Sequence, residues 1–590
     1  MEGSSDRLFC CRWVRDKIPL THREELYHIL RMTGPLLLSR ILNYLLPFVV
    51  TMFCGRLGND VMAGYGLASA AINVTTAATG CGLALVCDTL VSQTFGGKNL
   101  LRVGVILQRG IIILLLFCLP CWGLLINAEA ILLCMGQEPE VARIAQLYMT
   151  AFIPAVPAMF LHHLQVSYLQ NQGIIMPQMY TAALANIANL VTNYILLYWL
   201  DLGVGGSAAA NTLSWIYISA FLFAYIWWKK LHVTTWGESL QEWGSYMKLA
   251  IPSTLMTCFE WWVYEFGGFF AGMLSEDELA AQHAVIMIAF ITYMFPLGVQ
   301  AAACARVGNA LGAGDTARAV LSTKMSYGLA GSMAIVEGVV LAGTKTVIGY
   351  IFTSDEKIID LVSQLMTVYC FLQFFDGIVC VSTGIFLGTG KQKIPAVVNF
   401  IGYYCIGLPL CIVFMFVAKL RVLGFWLGLL IGAFLLSTSY ITIIIFKLDW
   451  KRMTEEAVKR AQKKTYLAQF GADALSDPVG INTAGQTASN GNSVDGYMSV
   501  SSECHDGSAE KEGGVQQPKG GRLSTTQLIL RRGLTMLAAI ALLVVGVIVH
   551  LVVPLPETLL EANSTTDWIN TTNTPDRIFS TVLLPTQESA

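Results

Sequence analysis

Displaced by about 217 positions, the chain matches itself. The segment GPLLLSR beginning at Gly34 and running to FCGRLGND (Phe53 to Asp60) aligns with IPSTLMT beginning at Ile251 and running to FAGMLSED (Phe270 to Asp277). At almost the same shift VSQTFGGKN (Val91 to Asn99) falls on VGNALGAGD (Val307 to Asp315), and the pair Met176 and Pro177 on Ile394 and Pro395. Three islands sharing one shift mark an internal duplication. In membrane proteins such repeats build carriers whose site lies between two related halves, so the feature points to transport before any single residue is weighed.

Hydrophobic residues fill 55% of the 590 positions and charged residues only 13%, against about 25% charged in soluble domains. The chain therefore reads as an all-α membrane protein. Its net charge of -2 offers no surface for nucleic acid. A helix needs roughly 20 apolar residues to cross a bilayer. On that scale spans are predicted at 33–53, 67–90, 104–127, 146–168, 176–198 and 205–228, then at 249–272, 280–304, 322–345, 364–387, 395–417 and 423–446, with an isolated thirteenth at 533–553. The expected architecture is two pseudo-symmetric six-helix bundles plus a C-terminal thirteenth helix. Its parts are a cytoplasmic N-terminus (1–30), a first bundle (31–230), a cytoplasmic linker (231–247), a second bundle (248–448), a disordered cytoplasmic tail (449–530), the last helix (531–555) and an extracellular tail (556–590).

Orientation follows from Lys and Arg near helix ends. Lys98, Arg102, Lys229, Arg306, Lys391 and Lys393 mark one set of loops as cytoplasmic, whereas Glu138, Asp277 and Asp355 sit in the alternate set. The C-terminus is then outside, where Asn563 (NST) and Asn570 (NTT) are glycosylation sequons. The NVT at Asn73 falls inside the second predicted span. No cleavable signal peptide is visible, and the first span is expected to act as an uncleaved signal. Of the fifteen cysteines most lie within spans, without metal-ligand or disulfide spacing; no metal or other cofactor is expected. Cys10 and Cys11, beside basic residues, are acylation candidates. Residues 451–464 form a basic amphipathic stretch, followed by a Gly/Ser/Asn-rich run at 480–493 read as a tether.

Acidic groups inside spans are costly and thus candidates for function. The seventh span carries Glu260 and Glu265 in CFEWWVYEF (Cys258 to Phe266), and the tenth carries Asp376. Five residues of helix separate the two glutamates by about 140°, so they cannot point equally into one pocket. Tyr264 lies one turn from Glu260, and Trp261 one turn from Glu265. Carboxylates beside aromatic faces suit an organic cation, and a desolvated carboxyl also suits a proton. Tyr293 and Asn73 complete the expected cavity lining. Arg40 is read as snorkelling to the cytoplasmic surface, with pairing to an acid of the seventh or tenth span as the alternative. Glu337 in the ninth span is read as snorkelling outward, and His162 with His163 as interfacial. On the repeat alignment Glu260 falls on Asn43 and Glu265 on Phe48, which places the chemistry in the second half.

Four segments carry a family resemblance: CDTLVSQTFGG (Cys87 to Gly97), EWWVYE (Glu260 to Glu265), RVGNALGAGD (Arg306 to Asp315) and GYYCIGLP (Gly402 to Pro409). Over residues 30–450 and again in the thirteenth helix, the chain resembles the multidrug and toxin extrusion (MATE) family, most closely its vertebrate branch. The resemblance implies two six-helix lobes open in a V, exporting organic cations in exchange for protons. Glu260 and Glu265 match acids of that branch. Asp376 stands at a position usually occupied by Glu, and Met287 stands where a further acid belongs. The acid that many prokaryotic relatives carry in the first span is missing.

The expected function is a plasma-membrane antiporter, acting as a monomer in the lipid bilayer, in which protons and organic cations share Glu260, Glu265 and Asp376. A sodium-coupled or lipid-linked-substrate carrier on a related frame is the alternative within transport. A non-transporting receptor is the alternative outside it. The chain contains neither a phosphate-binding loop nor a nucleophile elbow, and no enzyme activity is expected.

Overall fold

The computed structural model describes residues 19–57, 59–229, 239–352, 355–462 and 524–553, and every regular element among them is helical. Helix α1 (Leu20–Leu57) carries Pro35 and Pro47 within it. The helices α2 (Asn59–Ile72) and α3 (Ala78–Gly96) join through a π turn, Asn73–Ala77. Next come α4 (Leu100–Ile126), a short α5 (Ala128–Cys134), and α6 (Pro139–Phe152) with α7 (Ala155–Gln170), which meet at a 61° bend. The bend falls at Pro154, which has no N–H to continue the helical ladder. The first half ends with α8 (Met176–Tyr194) and α9 (Gly203–Trp228).

The second half comprises α10 (Trp243–Gly272), α11 (Glu276–Gly312), α12 (Thr316–Thr344), α13 (Glu356–Thr389), α14 (Lys393–Asn399), a π-helical stretch Phe400–Gly407, α15 (Leu408–Ile412) and α16 (Arg421–Thr442). An amphipathic α17 (Trp450–Ala461) and an isolated α18 (Thr525–Val552) follow. Among the described residues ten helices are long and apolar enough to cross a membrane, or eleven if the bent α6–α7 pair is one span. The predicted fifth and seventh spans are also helical, as α8 and α10, but more polar. Asn186 and Asn189 of α8 donate to the carbonyls of Leu42 and Leu46 beside the Pro47 interruption of α1, at 2.7 and 3.3 Å. Glu260 and Glu265 lie in α10.

The duplication is visible in backbone detail. Asn99 caps α4 by accepting from the Arg102 amide, and its repeat partner Asp315 caps α12 by accepting from the Arg318 amide. The residues before them, Lys98 and Gly314, both take positive φ (59° and 83°). Two large hydrophobic clusters form the core, one drawn from Val50 to Ala250 and one from Val263 to Ile444. A smaller cluster of Ile29, Leu36, Ala301 and Ala302 ties α1 to α11.

On the side of the basic loops the two halves meet through glycines. A Cβ on Gly96 would strike the backbone of Asn309, and one on Gly312 the carbonyl of Gln93. Thr89 donates to the Leu387 carbonyl at 2.6 Å, and Gln93 to that of Gly388 at 2.9 Å. Buried Glu25 accepts from Nε and Nη2 of Arg306, at 2.8 and 2.5 Å, and from the Ser322 hydroxyl at 2.7 Å.

Three expected boundaries change. Residues 20–30 are not a separate terminus but the first turns of α1, anchored by Glu25. The linker at 231–247 ends earlier, because α10 begins at Trp243; Glu242 before it accepts from Arg102 at 3.0 Å. Within the expected tail at 449–530, residues 450–461 are a docked helix. Its apolar face packs Ala457 against Val307, Leu311 and Ala319, and its rim joins Lys391 to Glu456 at 2.8 Å and Arg460 to Gln93 at 2.7 Å. A short amphipathic helix is stable where tertiary packing covers its apolar face. Cys10, Cys11, the 480–493 run, Asn563 and Asn570 lie outside the described residues.

Candidate functional site

The acids of α10 point to two different places. Tyr293 of α11 donates to the carboxylate of partly buried Glu260 at 2.6 Å. Asp376 of α13 lies within electrostatic reach of Glu260, and the Tyr264 hydroxyl faces it. Tyr264 thus serves Asp376 rather than the glutamate of its own helix. A cleft with room for about one water runs beside Asp376, lined by Thr292, Tyr293, Pro296, Tyr369 and Gln373. Thr292 and Tyr369 share a hydrogen bond of 2.5 Å.

Glu265 is exposed and makes no side-chain hydrogen bond or ion pair among the described residues. It lies eleven residues beyond Thr254, about 20° away on the helix circumference, and Thr254 is the residue that Gly82 of α3 touches. Glu265 therefore faces the gap between α10 and the first half, beyond the point where the helices meet. Trp261, 36% exposed, shares that face. Its neighbour Trp262 donates across the same gap to the Val74 carbonyl at 3.0 Å. Asn73 is exposed in the π turn beside Val74. Met287 brings no charge: its sulfur lies 3.5 Å from the Tyr44 hydroxyl of α1, and Asn43 Oδ1, at the repeat position of Glu260, is buried without a hydrogen bond.

Three sequence readings change. Arg40 is half-buried and makes no ion pair with an acid of α10 or α13 among the described residues. It sits within electrostatic reach of buried Asp88, His162 and His163. The two histidines are not interfacial but pack beside Trp215, with ring centroids 6.3 and 6.2 Å from it. Glu337 does not snorkel outward, because it lines the Asp376 cleft. Sequence reasoning also missed Asp88, which accepts from Gln170 at 2.8 Å and Asn171 at 2.5 Å. Tyr403 was missed as well; its buried, unpartnered hydroxyl lies within electrostatic reach of Tyr264 and Asp376. The one available signal was position, since both stand inside the segments CDTLVSQTFGG and GYYCIGLP.

This arrangement provides a half-buried group of carboxyls and phenols beside a cleft that holds about one water, and a separate exposed carboxylate beside an indole face. The first suits proton exchange. The second suits an organic cation.

The MatE family model matches twice, at residues 35–195 and 252–413, one match in each half. The chain is 46% identical over 560 residues to multidrug and toxin extrusion protein 1 of Danio rerio, covering 93% of this chain and 95% of that one. It is 43% identical over 533 residues to multidrug and toxin extrusion protein 2 of Mus musculus, covering 90% and 92%. The crystal structure of the eukaryotic MATE transporter AtDTX14 matches with a TM-score of 0.71 and 27% identity, over 75% of this chain and 100% of that one. With the family matched in both halves and relatives aligned over nearly their whole length, the chain belongs to the MatE family of multidrug and toxin extrusion transporters.

Proposed function

We propose that the protein is a proton-coupled antiporter that exports organic cations by alternating access. Its spans form two six-helix lobes, approximately residues 31–230 and 248–448, with α18 as a thirteenth span. The N-terminus is cytoplasmic, the C-terminus extracellular, and the protein works as a monomer in the plasma membrane. The reading rests above all on the division between exposed Glu265 with Trp261 and half-buried Glu260 with Asp376. The cation occupies the interlobe gap against Trp261 and Glu265. Protons exchange on Glu260 and Asp376, whose phenol neighbours Tyr293 and Tyr264 hold the carboxylates in place. Coupling requires that proton loading alter how tightly the gap holds its cation.

The test is uptake of tetraethylammonium by vesicles reconstituted with the protein, with proton and sodium gradients imposed separately. A proton gradient alone should drive uptake, and Glu265→Gln should remove most of it. Uptake driven only by sodium would replace proton coupling with the sodium alternative, and absence of any driven flux would overturn transport of this cation.

A further inference from the structure

We infer that Glu337 is a further exchangeable carboxylate of the transport cycle, supplied by α12 to the second half in place of an acid at Met287 on α11. The inference rests on the proton coupling proposed above.

Two small clefts meet at this residue. One holds Asp376, Thr292, Tyr293 and Tyr369; the other is lined by Val299, Ala330, Met333, Ala334 and Gly377. Glu337, Gln373 and Pro296 border both. A water in the first space would stand between Glu337 and Asp376, which both line it, and a bridge of that kind is what proton exchange between two carboxyls needs. Pro296 opens the wall, because a proline inside α11 removes one backbone donor and prevents tight packing there.

A structural acid at this depth would be paired, and Glu337 is not. Its Oε1 is buried with no hydrogen-bond partner among the described residues. The nearest cation along its own helix, Lys345, donates instead to Thr367 at 3.2 Å. Gln373 turns its amide nitrogen away, to the carbonyls of Ala334 and Cys370 at 2.7 and 3.2 Å. The groups that face Glu337 are Tyr293 from α11 and Tyr369 and Asp376 from α13. Helix α1 packs on α12 through Met325 and Leu329, two or more turns away, and its Arg40 acts on Asp88, His162 and His163. α17 meets α12 at its start, where Thr454 bonds Thr316. An unpaired buried carboxyl retained at mid-helix is costly unless it exchanges protons or meets a cation.

The test is the pH dependence of tetraethylammonium binding to purified protein. By linkage, the slope of log affinity against pH counts the protons released when the cation binds. Glu337→Gln keeps the shape and the amide hydrogen bonds but cannot titrate. The slope should fall by about one, a tenfold smaller change in affinity per pH unit, while binding at alkaline pH persists. An unchanged slope in Glu337→Gln beside a pH-dependent native protein would overturn the inference and leave the proposed function standing. A pH-independent native protein would instead overturn the proposed function, and this inference with it. As a check that needs no variant, a hydrophobic carbodiimide should label Glu337 in the native protein at acidic pH, and tetraethylammonium should protect it. Lack of labelling or of protection would equally overturn the inference.

Discussion

The indole nitrogen of Trp262 donates to the backbone carbonyl of Val74 at 3.0 Å, across 188 residues of sequence and across the gap between the two halves. The acceptor lies in the π turn of the second helical rod. Such a turn leaves its carbonyls less committed to the regular ladder, so a side chain from outside finds a partner.

That bond belongs to one arrangement of the halves. Trp262→Phe keeps an aromatic ring but removes the donor and part of the indole; loss of the bond alone costs about 1 kcal/mol, about a fivefold shift in the balance between conformations. Spin labels at exposed Met52 of α1 and Met273 at the end of α10 should report a broadened distance distribution. An unaltered distribution would mean that the bond does not hold the halves.

Glu260 depends on the hydroxyl of Tyr293. Tyr293→Phe removes a charge-assisted hydrogen bond of about 1.5–3 kcal/mol, so the efficiency of proton-driven tetraethylammonium uptake should drop by about tenfold or more. Thr292→Val, which breaks the Thr292–Tyr369 link in the adjoining cleft together with the hydroxyl's bonds to the Ile288 and Ala289 carbonyls of its own helix, should cost much less. Equal losses would assign both hydroxyls to packing.

The glycine seam gives a paired comparison. Gly312→Ala places a methyl group against the Gln93 carbonyl and forces backbone movement, whereas a methyl at Gly328 of α12 meets nothing within 4 Å. Overpacking of this kind costs about 1–3 kcal/mol, while helix propensity favours Ala over Gly by up to about 1 kcal/mol. Thermal unfolding in detergent should therefore separate the variants in opposite directions, and transport should fail only in Gly312→Ala.

Docking of α17 should depend on acid. The hydrogen bond from Lys391 holds the Glu456 carboxyl below the ordinary carboxylate range. A lowered folded-state value stabilises the docked helix above the unfolded value of about 4.3, and the benefit disappears as pH falls through the folded value. Because Glu456 is one-third exposed, solvent screens the effect and the change is modest. Protection of the amides of residues 450–461, measured against the intrinsic exchange rate at each pH, should fall between pH 6 and pH 3.5, and Glu456→Gln should lower it at neutral pH.

The duplication, the helical character and the acids of α10 and α13 were all legible, because each is written locally in hydrophobic runs, repeat spacing or a charge within a span. The 140° between Glu260 and Glu265 likewise follows from local helix geometry. The partners were not legible. Glu25 meets Arg306 across 281 residues, and Tyr293 meets Glu260 across 33 residues from another helix; helix periodicity carries no information about such pairs. Snorkelling was a reasonable reading for Arg40 and Glu337 because it needs only one side chain and a nearby surface. Neighbouring helices instead leave both half-buried, Arg40 toward Asp88 and Glu337 in the Asp376 cleft. The docking of α17 escaped notice for a similar reason, since its apolar face has meaning only against α11.

The π turn at Asn73–Ala77 has a further consequence for the helix that follows it. It holds one residue more than the α turn it replaces, so it resets the angular phase of everything downstream. Winding the same residues as a regular α-helix would swing Asp88, Thr89 and Gln93 by about 100° about their axis. The carboxylate would leave Gln170 and Asn171, and the seam partners would rotate away from Leu387 and Gly388. The pitch of this one coil is thus a dial on the whole contact between the repeats, and it tolerates no slippage.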